Sequence, residues 1–349
     1  MALAQDILTR IVRIVRSRGA VFIVTTNQAT QYCIKVRGSG AAPTILPITL
    51  PDGPDGAGTI TQGAGSSYKR IDGVPTFVLC GNLRYNMTVG DRNYNIWTSY
   101  VYTSNNGIDW RFTFTAPFYV DINEFGRGVP SQSWGTAFVW SGSAFHYDFI
   151  VERDGLPAVL DPEGDPRPWK HEHIFHSNNG NGSSWAGDDV GQSFDEHMDY
   201  RSPFPPTYCT HHNCIDPVGQ NVPDGTMEAL RAITMRPKFA PPIFYSVAEI
   251  DFQGHNDFFP FTPSPIVQVI SADGTVDRTV PGFQSVTCVA GANNIWMAGG
   301  MRPDEGPALA LSFNNGANWT ALAFEEGSVS SVTSVLSISA APMTDIPGA

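Results

Sequence analysis

The apolar residues of this chain fall in short runs separated by Gly-, Pro- and Asn-rich stretches. Val21–Thr25, Thr76–Cys80, Ala137–Trp140, Ile243–Val247, Val286–Val289 and Val332–Ile338 are such runs, and their β-branched and aromatic content predicts inner strands of sheets. Residues 187–224 carry no strand pattern and predict a long loop across one face. Only the first eighteen residues follow a helical period. Leu3, Ile7, Leu8, Ile11, Val12, Ile14 and Val15 occupy one broad half of a cylinder. Gln5, Asp6, Thr9, Arg10, Arg13 and Arg16 occupy the other, and Gly19 ends the segment. The pattern predicts an amphipathic helix over 1–18 and an all-β remainder over 19–349.

Composition narrows the class. In 349 residues, 34 Gly and 27 Pro would repeatedly break a helix bundle, and 11% aromatic content argues against disorder. A net charge of −12 excludes recognition of nucleic acid by the chain as a whole, which needs a basic surface. No apolar run is long enough to predict a transmembrane helix. Asp6, Arg10, Arg13 and Arg16 interrupt the place where a secretion signal would keep its apolar core, so a cytoplasmic or virion setting is expected. The Asn86, Asn181 and Asn318 sequons then carry no weight. Four Arg against Asp6 give residues 1–18 a charge of +3 and leave −15 on the rest. Such a helix can pack on its own domain, dock on a partner subunit as an assembly anchor, or lie on an anionic membrane surface. Five Cys make no disulfide framework; Cys33, Cys80 and Cys288 sit in apolar runs and are expected to be buried thiols.

An internal repeat runs through the β region. Thr103-Ser104-Asn105-Asn106-Gly107-Ile108-Asp109-Trp110 aligns with Ser312-Phe313-Asn314-Asn315-Gly316-Ala317-Asn318-Trp319. A third copy runs from Ser177-Asn178-Asn179-Gly180 to Trp185, with two extra residues before its Trp. Upstream, Cys80 parallels Cys288, and Asn95-Ile96-Trp97 parallels Asn294-Ile295-Trp296. Asn-Gly supplies the positive φ of a tight hairpin, the Asn side chain caps neighbouring amides, and Trp folds back as a small plug.

The pattern resembles the Asp-box, or BNR repeat, Ser-x-Asp-x-Gly-x-Thr-Trp, found between the third and fourth strands of blades in sialidase-like β-propellers. In that register Asn105, Asn178 and Asn314 take the acidic position; Gly107, Gly180 and Gly316 match its Gly; Trp110, Trp185 and Trp319 match its Trp. Ser271-Ala272-Asp273-Gly274 reads as a degraded fourth copy. The resemblance implies a propeller, and the spacings of 73 residues from Gly107 to Gly180 and 136 from Gly180 to Gly316 suit five to seven blades. Pairing of the first and last strands would close the ring.

The resemblance also raises catalysis. A sialidase-like site needs three Arg, a Tyr–Glu pair and an Asp acid, and its Arg-Ile-Pro motif finds only Tyr68-Lys69-Arg70-Ile71-Asp72. Asp148, Glu152, Asp154, Asp161, Glu163 and Asp165 offer carboxylates for a glycosidase pair, but read as a solvated Pro- and Gly-rich loop. His171, His173 and His176, with Cys209, His211, His212 and Cys214, hold zinc-type ligands at spacings that match no familiar module. No cofactor is expected, with zinc the one alternative. Asp-box propellers that lack catalytic residues serve as protein- or glycan-binding parts, including in bacteriophage tails. The chain is therefore expected to be a non-enzymatic structural or binding component of a virion, docking on partner subunits in an oligomeric assembly. The alternatives are a glycan-cleaving enzyme with a divergent site and a glycan-binding adhesin, the latter through exposed aromatics such as Tyr200, Phe204 and Tyr208.

Overall fold

The computed structural model describes residues 19–53, 58–115, 120–122, 127–130, 132–140, 145–152, 159–160, 166–167, 170–177, 180, 186–193, 243–246, 249–250, 261–262, 265–271, 274–304, 306–314, 316–322 and 335–348. Among them the chain is mostly β-strand, with one 3-10 turn at Met343–Asp345 and no α-helix. The segment 1–18 lies outside the described residues, and with it Leu3, Ile7, Ile11, Ile14 and Val15.

The strands form antiparallel sheets that remain open, none closing on itself. The first sheet joins β1 (Ala20–Thr26), β2 (Tyr32–Val36) and β3 (Thr44–Pro47) to the last described strand, β25 (Val335–Pro342), in the order β25-β1-β2-β3. The second is β4 (Gln62–Ile71), β5 (Val74–Val89), β6 (Arg92–Ser104) and β7 (Arg111–Thr115) in chain order. A hairpin of β8 (Val120–Ile122) and β9 (Gly128–Pro130) follows. The third sheet is β10 (Gln132–Trp140), β11 (Phe145–Glu152), β14 (Lys170–Ser177) and β15 (Ala186–Ser193), with β12 (Val159–Leu160) and β13 (Pro166–Arg167) paired inside the β11–β14 connection.

The fourth sheet has three described strands, β16 (Ile243–Ser246), β19 (Ile266–Ser271) and β20 (Gly274–Thr279), with β17 (Glu249–Ile250) and β18 (Phe261–Thr262) paired between the first two. The fifth is β21 (Ser285–Ala292), β22 (Ile295–Met301), β23 (Pro307–Ser312) and β24 (Thr320–Ala321).

Sheets stack through their faces. β1 reads Ala-Val-Phe-Ile-Val-Thr-Thr and is buried at every position. Alternation sends Val21 and Ile23 into a core shared with Phe77, Leu79, Leu83, Tyr100, Tyr102 and Trp110 of the second sheet. Phe22 and Val24 enter a separate core with Met297, Leu309 and Leu311 of the fifth. The fifth sheet covers its other face with Val267, Val280 and Phe283 around Trp319. Both faces of the first and fifth sheets are thus covered, which is why their strands read as continuous apolar runs. The first strands of the sheets meet in the succession β16, β21, β25, β4, β10.

A β-bulge marks the first strand of four sheets at a corresponding place. The partner registers skip Ala64 in β4, Thr136 in β10, Thr287 in β21 and Leu336 in β25. An extra residue increases local twist and bends the strand, so the four strands bend alike.

The apolar runs fall on two kinds of strand: Val21–Thr25 and Thr76–Cys80 lie on second strands, paired on both sides, and Ala137–Trp140 and Val286–Val289 on first ones. β25 takes the first place in one sheet, and β4, Gln-Gly-Ala-Gly-Ser-Ser-Tyr-Lys-Arg-Ile, takes it in the other without an apolar run to reveal it. The expected 187–224 loop is shortened: Ala186–Ser193 is β15, which among the described residues pairs with β14 alone, so it needs no apolar pattern. Residues 194–224 lie outside the described residues, including Tyr200, Phe204 and Tyr208.

Candidate functional site

The three repeated boxes occupy one topological position, joining the third and fourth strands of their sheets: β6 to β7, β14 to β15, and β23 to β24. Each holds its Gly in the left-handed region, with φ of 76° at Gly107, 73° at Gly180 and 75° at Gly316. Each uses a buried serine as the cap. Ser104 Oγ accepts from Gly107 N at 2.9 Å, Ser177 Oγ from Gly180 N at 2.8 Å, and Ser312 Oγ from Gly316 N at 2.8 Å.

The acidic position is filled by an amide. In the third box Asn314 Oδ1 accepts from Asn318 N at 2.9 Å and from Ser312 Oγ at 3.1 Å. In the first box the same work falls to Asn106, not to Asn105. Asn106 Oδ1 accepts from Ile108 N at 2.9 Å, Asp109 N at 2.8 Å and Ser104 Oγ at 3.1 Å, while Asn105 is exposed. The physical reason is one residue of loop length. Ser104 reaches Gly107 over three positions, whereas Ser312 reaches Gly316 over four, so alignment on Gly and Trp alone puts Asn105 opposite Asn314. Trp110 and Trp319 are buried against their sheets, and Trp110 Nε1 donates to Gly107 O at 3.1 Å. A Cβ at Gly107 would stand 3.0 Å from Ile23 Cδ1 and 3.4 Å from Cys33 Sγ, so this turn also plugs the junction with the first sheet. Its outer side opens on a recess of about 370 Å³ lined by Asn105, Asn106, Asp109 and Arg111. Asn178 and Trp185 lie outside the described residues.

The upstream matches do not superpose. Cys80 lies on a second strand and Cys288 on a first, while Ile96-Trp97 lies on a third strand and Ile295-Trp296 on a second. Cys80 and Cys288 precede Gly107 and Gly316 by 27 and 28 residues, but the strands of the fifth sheet are shorter than those of the second, so this near-equal offset falls on different strands; Trp97 precedes Gly107 by 10 residues and Trp296 precedes Gly316 by 20, so that match shares no register. Ser271 and Gly274 pair across the β19–β20 hairpin, between second and third strands, away from the position of the other boxes. Cys33, Cys80 and Cys288 are buried; burial pushes the Cys33 thiol up to about 11 and raises that of Cys80 as well.

The residues nearest to a sialidase-like motif are engaged elsewhere. Tyr68 Oη donates to Asp345 Oδ2 at 2.8 Å, and Arg70 Nη1 meets Asp345 Oδ1 at 3.0 Å. Asp72 (φ 49°) and Gly73 (φ 82°) make the tight turn into β5, with Arg70 Nε bonded to Gly73 O. Burial, followed by the bond to Asp345, raises the Tyr68 phenol. This constellation fastens the 3-10 turn at Met343–Asp345, whose Met343 N donates to Gly19 O.

β5 and β6 continue past their neighbours as a two-stranded arm. Among the described residues β4 pairs with β5 as far as Asn82 and β7 pairs with β6 from Tyr100 to Thr103, while the β5–β6 ladder runs on to Val89↔Arg92. Gly90 (φ 63°) begins the two-residue turn. One face carries Leu83, Tyr85, Met87 and Val89 opposite Thr98, Ile96, Tyr94 and Arg92, and its base packs into the core. The other pairs Arg84 with Trp97, Asn86 with Asn95, and Thr88 with Asn93. Arg84 Nε donates to Asn95 Oδ1, Asn95 Nδ2 to Asn86 Oδ1 at 3.0 Å, and Thr88 Oγ1 to Asn93 Oδ1 at 2.7 Å. The Arg84 guanidinium lies 5.6 Å from the Trp97 ring centroid. Sequence reasoning missed this arm, although its signal was present as strict alternation over 83–89 before Gly90-Asp91, continued over Tyr94-Asn95-Ile96 after it.

Asp148 and Glu152 belong to β11, not to a loop, because Phe145–Glu152 pairs along its whole length with β10 and β14. Asp154, Asp161, Glu163 and Asp165 lie outside the described residues. His171, His173 and His176 lie on β14, while Cys209, His211, His212 and Cys214 lie outside the described residues. Compared with known proteins, the chain matches no family model and no curated protein sequence.

Proposed function

We propose that the chain is a non-enzymatic structural or binding β-propeller in which the five sheets are blades, acting as a virion component of the tail type that docks on partner subunits through residues 1–18. Three features support the architecture: first strands that pack in succession, sheets covered on both faces, and the pairing of β1 with β25. The common place of the three boxes, between third and fourth strands, adds to it. The observation that carries the non-enzymatic reading is the use made of Tyr68 and Arg70. The nearest counterpart of a substrate-clamping arginine motif is bound to Asp345 of the same chain and serves as a fastener.

Light scattering after size exclusion tests the docking role. The full chain is compared with a full chain carrying Ile7→Glu and Ile14→Glu, which place charge on the apolar half of the predicted helix. An oligomer that falls to a folded monomer supports assembly through this segment; an unchanged oligomer, or a monomer in both, sinks self-assembly through it. Turnover by the wild-type protein in a glycan-hydrolysis screen would sink the non-enzymatic reading.

A further inference from the structure

The polar face of the β5–β6 arm has a composition that packing does not require. Arg84, Asn86, Thr88, Asn93 and Asn95 are exposed, and Trp97 is half-buried beside them. Successive pairs on one face of a ribbon stand ~6.8 Å apart, at ~3.4 Å per residue, so the three pairs span roughly 14 Å. Such a row offers an aromatic ring at its base and amides and a hydroxyl toward its tip.

The chemistry selects a ligand class. The face carries one guanidinium and no carboxylate, too little positive charge for a phosphate backbone, which needs several cations. It lacks the cluster of buried apolar anchors that dominates a protein interface. What it presents are primary amides, each with a donor and an acceptor in one plane, next to an indole surface. Vicinal hydroxyls of a sugar satisfy both functions of an amide, and the C–H face of a pyranose ring lies against an aromatic ring. The internal bonds Arg84–Asn95–Asn86 and Thr88–Asn93 hold these groups in place before a ligand arrives, which lowers the ordering cost of binding.

We infer that this face of the arm is a saccharide-binding site, with Trp97 as the stacking platform and Asn86, Asn93 and Asn95 as the hydroxyl-reading groups. Arg84 orients Asn95 and adds a contact for a saccharide that bears a carboxylate. The inference goes beyond docking through residues 1–18 and does not depend on it: the helix variants above and the arm variants below read different properties.

The test uses the full chain on an array of defined neutral and sialylated oligosaccharides, followed by titration of the strongest binder in solution. Wild type is expected to bind saccharides on the array, sialylated ones more tightly than their neutral counterparts. Trp97→Ala and Asn86→Asp should each weaken binding at least about tenfold, with the thermal transition kept as the check on folding. Asn93→Asp, near the tip, supplies a variant that leaves the base of the arm untouched. Arg84→Gln separates the classes, costing affinity for sialylated glycans more than for neutral ones. Absence of binding anywhere on the array, or binding that survives Trp97→Ala and Asn93→Asp in folded protein, overturns the assignment.

Discussion

Asn106 and Asn314 do the capping work that the Asp-box resemblance assigns to an aspartate, so placing an aspartate in each box separates two local environments. In the first box Asn106 Nδ2 donates to Asp109 Oδ2 at 2.7 Å while its Oδ1 caps Ile108 N and Asp109 N. Asn106→Asp keeps the caps, removes that donor and sets two carboxylates against each other. The lost bond is worth ~0.5–1.5 kcal/mol. Two like charges ~4 Å apart repel by ~1 kcal/mol in water and more at a protein surface, reduced again by exposure and salt. The expected destabilisation is therefore about 1–2 kcal/mol. In the third box the corresponding residue is Asn318, which adds no charge, so Asn314→Asp keeps its caps and should be neutral within about 0.5 kcal/mol. Urea denaturation of both variants, with Asp109→Asn and the Asn106→Asp/Asp109→Asn double variant, closes a thermodynamic cycle. Asp109→Asn should rescue Asn106→Asp, and high salt should narrow the gap between boxes. Equal effects at 106 and 314, or no rescue, would refute the claim that charge repulsion keeps an amide in the first box.

Two further outcomes follow from the same geometry. Gly107 and Gly90 share a left-handed backbone, at φ 76° and 63°, but an added Cβ meets Ile23 and Cys33 at Gly107 and nothing within 4 Å at Gly90. Gly107→Ala should cost ~1–2 kcal/mol more than Gly90→Ala in the same urea titration, since only the first adds overpacking to the backbone penalty. For pH, burial raises the Cys33 thiol from 9.0 to about 11 and raises Cys80, Tyr68 and Tyr102 as well. Groups that hold protons more tightly when folded keep their contribution below the unfolded value and lose it as pH rises toward the folded one. Stability should therefore be flat approaching pH 9 and fall from 9 toward 11, and Cys33→Ala should flatten the first part of that fall in a pH series of thermal transitions.

What the sequence revealed depended on how locally each feature is encoded. The box turns were readable because Gly107 and Gly316 must adopt positive φ and Trp110 and Trp319 must be buried within a few residues of them. The buried cysteines followed from apolar runs, and the pairing of first and last strands from what the propeller resemblance implies. β4 was not readable, because a first strand of Gly, Ala and Ser is chosen by close approach between sheets: a Cβ at Gly63 would stand 2.6 Å from Gln31 Oε1, and Ser66 N donates to Ser337 Oγ at 3.1 Å across 271 positions. Nothing near Ser66 in the sequence announces Ser337.

The same distinction separates Tyr68 and Arg70 from the β5–β6 arm. Arg70-Ile71 departs from the Arg-Ile-Pro motif at Asp72, and the partner of Tyr68 and Arg70, Asp345, lies 275 or more positions away and makes them a fastener. The arm, by contrast, owes its polar face to cross-strand register. Asn86 meets Asn95, and Arg84 meets Trp97, only because Gly90-Asp91 fixes a two-residue turn. Shifting that turn by one residue would move every side chain of one strand to the opposite face and dissolve the ladder while leaving composition unchanged. A site written in register is therefore more sensitive to insertion at the tip than to most single substitutions along the strands. One residue inserted between Gly90 and Asp91 should abolish saccharide binding in a protein whose four-stranded base, held by β4 and β7, stays folded.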